Sequence, residues 1–443
     1  MTKYIVTGGN PIRGSIKLAG AKNAGFKAMI ASLMGDSPSQ ICRLGLISEI
    51  NFAKEIITSL GGSVSSLSDE HDLFIDPTNI NSFTVPKEIG SKSRSVTMYV
   101  GPLLMKFGKA ILPTPGGDPI STRPIDRHIE GLTAFGAKVE FADGAYHVEA
   151  PNGLRGTRFR FRKNTHTGTE TLLMCAVWAK GESILENAAA EPEIDDLITL
   201  LNSMGAQIMR LDARTIRVMG VKKLRGVKHT VMLDRIEAAT FACITYATKG
   251  DVTVIGADPL VLTAFLEKTN EVGGRWEKTA DGIRFWYENE LTATDVTAST
   301  YPQFMTDWQP MWTALMTQAQ GISTVHETVY ESRLDHINDL AKMGANFELF
   351  NPPVLNPEET YNFNLEDDQH ENMHAVRIFG PVELKSAEIE IHDIRRGATV
   401  LLAGLAANGQ TTISDPKGQV ARGYENLIER LKVLGANITI SSD

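Results

Sequence analysis

Four stretches of the chain combine small residues, fixed cations and carboxylates in ways that could handle an anionic substrate. The first is Ala19-Gly20-Ala21-Lys22-Asn23-Ala24, just ahead of an apolar run. Its small residues let a backbone approach a ligand closely, and Lys22 would stand at a helix N-terminus, a favourable place for an anion; the alternative is a surface lysine in a turn. The second is Pro113-Thr114-Pro115-Gly116-Gly117-Asp118-Pro119, running on to Arg123-Pro124-Ile125-Asp126-Arg127-His128. Pro and Gly at this density predict a mobile or tightly turned loop that could act as a lid, and Arg123 and Arg127 could hold phosphate in forked hydrogen bonds; a plain turn before a charged helix start would read the same way. The third, Tyr301 to Gln309, places Asp307 before a predicted buried helix. There it would be an N-cap, or a general base if it faces a cleft. The fourth group is Arg333, Arg395 and Arg422, in ESRL, HDIRRG and VARGYE, each just before or at the start of a predicted helix. Arginines at equivalent ends of repeated units could converge on one anion. His166, His326, His336, His370, His374 and His392 show no pair at ligand spacing with a carboxylate partner, so no metal site is expected.

Elements that could position these loops follow from an internal repeat. A hydrophobic residue, Gly, then Ala or Gly, then a strand-like run occurs six times, with first glycines at 61, 136, 205, 273, 344 and 435. The gaps are 75, 69, 68, 71 and 91 residues. Each copy follows a helical pattern: Ile194, Leu197, Ile198, Leu201 and Met204 form an apolar stripe, and Tyr424, Leu427, Ile428, Leu431 and Leu434 repeat its spacing. The glycine is expected to close the helix in a left-handed C-cap. A second glycine, at 35, 108, 181, 250, 321 and 409, closes helices that are apolar nearly all round and therefore buried. Each unit reads as a buried helix, a strand or two, an amphipathic helix and another strand, with three units in each of two domains. The long last gap predicts a surface insertion over residues 351–380, with Glu366-Asp367-Asp368 as a solvated charge run.

Composition sets the outer limits. A chain of 443 residues exceeds what one core serves, so two domains are expected. Apolar residues at 42% and charged residues at 22% fit a soluble protein. Cys42, Cys175 and Cys243 lie far apart, which argues against disulfides and fits a reducing, cytoplasmic setting. No signal-peptide pattern and no apolar run of spanning length is seen, so no membrane association is expected. A net charge of −9 lacks the basic footprint of a nucleic-acid binder.

The motifs AGAKNA, PGGDPISTRPIDRHI, ENAAAEPEI, DRIEAATF, FMTDWQP, VHETVYESR and ARGYENLIERLKVLGANI resemble, in that order, those of the UDP-N-acetylglucosamine 1-carboxyvinyltransferase family of enolpyruvyl transferases. The resemblance runs from Gly8 to Ile440. The sister family that makes enolpyruvylshikimate phosphate differs: it carries a serine-containing loop at Lys22-Asn23 and lacks the PGG…RP stretch. The resemblance implies an inside-out α/β barrel of two similar domains, one over residues 22–233 and the other joining 1–21 to 234–443. It implies an active site in the cleft, with the Asp118 loop closing over it. The reaction would move the enolpyruvyl group of phosphoenolpyruvate to the 3-hydroxyl of UDP-N-acetylglucosamine and release phosphate, the first committed step of peptidoglycan precursor synthesis, without metal or organic cofactor. By motif, Asp307 is the base at the sugar hydroxyl. Lys22, Arg123 and Arg422 surround phosphoenolpyruvate, with Arg395 nearby. Asn23, Arg94, Pro124, Ile125, Asp126, Arg127, Asn164, His166, Thr167 and Val329 fall where the family holds the UDP-sugar.

Two departures affect function. Asp118 stands where most members carry the cysteine that protonates the methylene carbon or helps release product, and that fosfomycin alkylates. An aspartate can donate a proton only while it holds one, so an acid-shifted pH profile and intrinsic fosfomycin resistance are expected. Asn164 and His166 replace the usual lysine and serine, although Lys163 is adjacent. That change leaves room for another uridine nucleotide as acceptor. Loss of the cysteine leaves room for a catalytically silent nucleotide-sugar binder.

Overall fold

The six amphipathic helices end in one way. In the computed structural model, which describes residues 2–118 and 120–442, Gly61, Gly136, Gly205, Gly273, Gly344 and Gly435 all adopt φ between 83° and 112°. Each glycine N–H bonds the carbonyl three residues back, and the next N–H bonds the carbonyl five back. Gly61 to Thr58 and Gly62 to Ile57, both 3.0 Å, open the series; Gly435 to Lys432 and Ala436 to Leu431, both 3.0 Å, close it. This closure satisfies helix-end carbonyls and requires a left-handed residue, where a Cβ costs about 1–2 kcal/mol. The helix Pro192–Met204 carries its predicted stripe with Ile194, Leu197, Leu201 and Met204 buried. The last helix is shorter than expected. It spans Leu427–Val433, because Asn426 turns left-handed (φ 45°) and leaves Tyr424 extended ahead of it.

One sheet pattern occurs throughout. A short strand lies parallel to the strand that follows a buried helix, and a hairpin completes the order. Arg158–Arg160, Glu182–Glu186, Thr215–Met219 and Gln207–Asp212 lie side by side in that sequence, with helix His166–Ala176 as the crossover. In the sheet Lys109–Pro113, Ala145–Glu149, Lys138–Ala142, a bridge from Thr84 to Ile111 replaces the short strand. In the last sheet the hairpin is split between the chain ends: Thr2–Thr7 pairs with Asn437–Ser442, from Thr2↔Ser442 to Thr7↔Asn437.

The contacts divide the chain into two compact units. A first unit holds Gly20–Gly117 and Pro124–Met232; a second holds Met1–Ala19, Asp118–Arg123 and Leu233–Asp443. Each has three of the sheets around its own apolar core. In the second unit every residue of helices Arg235–Ala247 and Gln309–Met316 is buried, as is nearly all of Ile394–Ala406. In the first, Lys22–Ser32 and His166–Ala176 are buried over most of their length. Helices inside and sheets outside make each unit an inside-out α/β barrel. The stretch Asp118–Arg123, expected with the first domain, clusters with the second unit.

The predicted insertion over 351–380 needs correction. Ala375–Gly380 is an interior strand between Gly321–Glu327 and Asn346–Phe350, with Ala375, Val376 and Ile378 fully buried. The added length is the hairpin loop before it, and this loop is anchored: buried Tyr361 and Phe363 stack at 4.9 Å and both contact His374. The charge run is partly employed, since Asp368 pairs with His374 at 3.1 Å and accepts from Asn372 at 2.9 Å.

Glu327, the last residue of strand Gly321–Glu327, is a buried carboxylate that ties two loops together. One oxygen accepts from the Val329 and Tyr330 amides (2.7 and 3.3 Å), and the other from the Thr306 hydroxyl (2.7 Å), next to Asp307. Burial pushes its pKa up to about 7, against the opposing effects of Arg333 and these donors. The native state therefore keeps a proton that the unfolded chain releases near 4.5, and stability falls as pH rises between those values, by up to about 3 kcal/mol. Glu327→Gln cannot ionise, so its stability relative to wild type should rise by about 1–3 kcal/mol between pH 4.5 and 7.5 in urea unfolding. A difference that does not change with pH would contradict a shifted Glu327.

Candidate active site

In the second unit, Asp307 lies just before helix Gln309–Met316, but Trp308 holds the cap position and no side chain caps the helix. The N-cap reading is thereby replaced by another. One oxygen of Asp307 accepts from Arg395 Nε at 2.9 Å and from an Arg333 terminal nitrogen at 3.2 Å. Charge-assisted bonds of this kind are about twice as strong as neutral ones. The backbone beneath is rigid. Phe304, Trp308, Trp312 and Phe265 pack edge-on at 5.3–5.8 Å, and the buried Arg235 guanidinium lies 4.9 Å from the Tyr301 ring.

The cluster continues through Tyr424. Arg395 donates to its hydroxyl at 3.0 Å, and that hydroxyl lies 3.0 Å from Thr240. Two residues earlier, Arg422 reaches the Asp118 carboxylate at 3.4 Å. Arg123 donates to the Asp118 carbonyl at 3.4 Å, so its guanidinium bonds the loop's own backbone here. Beside these groups lies a small open hollow with Arg333, Arg395, Arg396, Asp393 and His336 on its wall. Arg396 is paired with the fully buried Asp339. Burial, aided by Arg333, holds His336 neutral with a pKa of about 3. Asp393 caps helix Ile394–Ala406 by accepting from the Arg396 amide at 2.9 Å, which brings the positive end of a helix dipole to the hollow. Asp118 thus meets Arg422, while Asp307 meets Arg395 and Arg333. The Val329 amide is taken up by Glu327.

The first unit carries a separate polar group. Lys22 and Asn23 are the first two residues of helix Lys22–Ser32, both half-buried. Arg94 donates to the Pro124 carbonyl at 3.0 Å, and Arg127 to the Asn164 carbonyl at 2.9 Å. Ile125 precedes helix Asp126–Ala134, and Asp126 accepts from Arg162 at 3.1 Å. Asn164 is buried, and its amide donates to the Asn187 carbonyl at 3.2 Å. Thr167 lies 3.1 Å from buried His128, whose pKa burial lowers to about 3. His166 stands 3.2 Å from both Lys27 and Glu170, which form a buried ion pair with each other. Burial and Lys27 work against a charged His166, yet Glu170 and Glu191 outweigh them and raise its pKa.

Sequence reasoning did not single out Tyr424 as part of the site, nor Glu327, Glu331 or the Lys27–Glu170 pair. Glu331 had a signal, standing two residues before Arg333 in the quoted ESR motif. Lys27 and Glu170 had one as well: opposite charges beside the apolar runs that mark buried helices. Among the described residues no helix is long and apolar enough to cross a membrane.

Comparison with known proteins adds an independent line. The family model described as EPSP synthase (3-phosphoshikimate 1-carboxyvinyltransferase) matches residues 6–431. The chain is 38% identical to UDP-N-acetylglucosamine 1-carboxyvinyltransferase 3 of Caldanaerobacter subterraneus over 99% of both chains. It is 34% identical to UDP-N-acetylglucosamine 1-carboxyvinyltransferase 1 of Staphylococcus aureus over the full length of both. Among solved structures, the enolpyruvyl transferase NikO from Streptomyces tendae superposes with a TM-score of 0.86 at 21% identity, covering 100% of this chain and 99% of that one. EPSP synthase from Acinetobacter baumannii gives 0.75 at 17% identity over the whole of both chains. The chain belongs to the EPSP synthase family of enolpyruvyl transferases and, within it, to the UDP-N-acetylglucosamine 1-carboxyvinyltransferases.

Proposed function

We propose that this protein transfers the enolpyruvyl group of phosphoenolpyruvate to the 3-hydroxyl of UDP-N-acetylglucosamine and releases phosphate, the activity for which its full-length relatives are named. The observation that carries the reading is the chain Asp118–Arg422, Tyr424–Arg395–Asp307–Arg333. It joins two carboxylates to three guanidinium groups, the set that proton transfer on a highly charged phosphate ester calls for. In this reading Asp307 accepts the proton of the sugar hydroxyl as its oxygen bonds to C2 of phosphoenolpyruvate. Asp118 delivers a proton to the methylene carbon, and the arginines hold the carboxylate and phosphate. Loss of a methyl proton and departure of phosphate then regenerate the double bond on the sugar. The guanidinium groups that grip the two aspartates are the ones an anionic substrate engages, so its arrival draws hydrogen bonds from the carboxylates and releases them for chemistry. Lys22 and Asn23 remain the further substrate-holding candidates that the family resemblance names, and Arg123 is a further cation.

A second reading, another uridine nucleotide as acceptor, is favoured by two observations. The Asn164 amide is spent on Asn187, and His166 is engaged with Lys27 and Glu170. Phosphate release assayed with UDP-N-acetylglucosamine and with uridine monophosphate separates the two; release with the latter alone would displace the first reading.

Asp307→Asn should keep the fold and lower phosphate release by about 100-fold or more. A rate within a few-fold of wild type would remove Asp307 as the base. Asp118→Asn should be similarly impaired, and equal activity would end the proton-donor role. Because a carboxylate opens an epoxide far more slowly than a thiolate, pre-incubation with fosfomycin should cause no time-dependent loss in the wild type. Asp118→Cys should introduce it; progressive inactivation of the wild type would contradict the expected resistance.

A further inference from the structure

The turn Glu331-Ser332-Arg333 holds more than the anion-facing arginine. The buried Glu331 carboxylate accepts from both the amide and the hydroxyl of Thr122, at 2.6 and 3.0 Å, through a single oxygen. The Ser332 hydroxyl donates to the Ile120 carbonyl at 3.1 Å. Arg333, next in sequence, donates to Asp307. One turn therefore fixes both the segment that carries Asp118 and the carboxylate of Asp307. The segment needs such fixing. Arg123 sits at φ 46°, a left-handed conformation that costs a residue with a Cβ about 1–2 kcal/mol, so the local chain does not favour this path by itself. A further tie, Arg422 to Asp118, is long at 3.4 Å and engages a cation that an anionic substrate would claim. When that tie is given up, the bonds from Glu331 and Ser332 still hold the segment.

The geometry points to Glu331 as a positioning residue. It sets where Asp118 stands relative to Asp307, so that protonation of the methylene carbon and deprotonation of the hydroxyl occur in register. This rests on the enolpyruvyl-transfer reading for its catalytic consequence, although the tie itself can be measured without activity. A buried carboxylate that bonds a backbone amide and a hydroxyl at once is specific for the position of that residue, not merely for its charge.

The test uses the full chain with Glu331→Ala, Thr122→Val, the double variant and Thr122→Ser. Steady-state phosphate release from phosphoenolpyruvate gives kcat and KM, and hydrogen exchange is followed in a peptide covering residues 118–123. Glu331→Ala should lower kcat about 30-fold and Thr122→Val about tenfold, with KM for the acceptor within about twofold, the scale on which misplacing a reacting group acts. The double variant should be no slower than Glu331→Ala, because both changes remove one interaction. Thr122→Ser, which keeps the hydroxyl, should retain at least about a third of the rate, and exchange should rise in Glu331→Ala. Should Glu331→Ala fail to fold, the comparison of Thr122→Val with Thr122→Ser decides, since Thr122 is exposed. Equal rates in those two, losses that multiply in the double variant, or unchanged exchange would each overturn the assignment. A wild type that releases no phosphate but loses exchange protection in Glu331→Ala would count against the enolpyruvyl-transfer reading and not against the tie.

Discussion

A single carboxylate oxygen shared between two guanidinium groups is the constraint on which the second unit's site depends. Arg333 comes from the turn after one strand, and Arg395 from the first turn of a buried helix 88 residues from Asp307. Neither arginine could be buried without a counter-charge, and a carboxylate beside one cation alone would be free to swing. The triangle holds two repeats of the barrel in register at the point where the chemistry would occur. Its neighbours extend that logic: Tyr424 satisfies a further nitrogen of Arg395, and Arg235 stiffens the backbone that carries Asp307.

Much of this architecture was readable in the sequence because the repeat is written in residues with strict backbone needs. Six glycines at like positions can close six helices only through a left-handed residue, and all six do so. The apolar-all-round segments were legible as buried helices for a similar reason. What escaped were contacts that no local pattern encodes. Tyr424 continued an apolar stripe in the sequence, yet the left-handed turn at Asn426 removes it from the helix and delivers its hydroxyl to Arg395. Residues 351–380 looked like one polar surface insertion because the loop's composition ran on into a strand whose partners, Gly321–Glu327 and Asn346–Phe350, lie outside the stretch. The ties of Thr122 to Glu331 span 209 residues and leave no periodicity behind.

The first unit shows the opposite economy. Where the second gathers cations around Asp307 beside a hollow, the first places Lys27, Glu170 and His166 against one another inside its helices. A buried ion pair contributes little net stability, but losing one partner costs several kcal/mol because the other is left uncompensated. His166 at its edge therefore inherits a fixed electrostatic setting.

The hairpin split between the chain ends bears on how the molecule is made. The first unit's core is built from residues no later than Met232, so it can close while the rest of the chain is still being synthesised. The second cannot finish early: the strand Thr2–Thr7, made long before its partners, sits between Gln410–Asp415 and Asn437–Ser442. Until those partners are made the strand has neither neighbour, so its unpaired backbone, ready to add to another chain, is a prolonged exposure to aggregation.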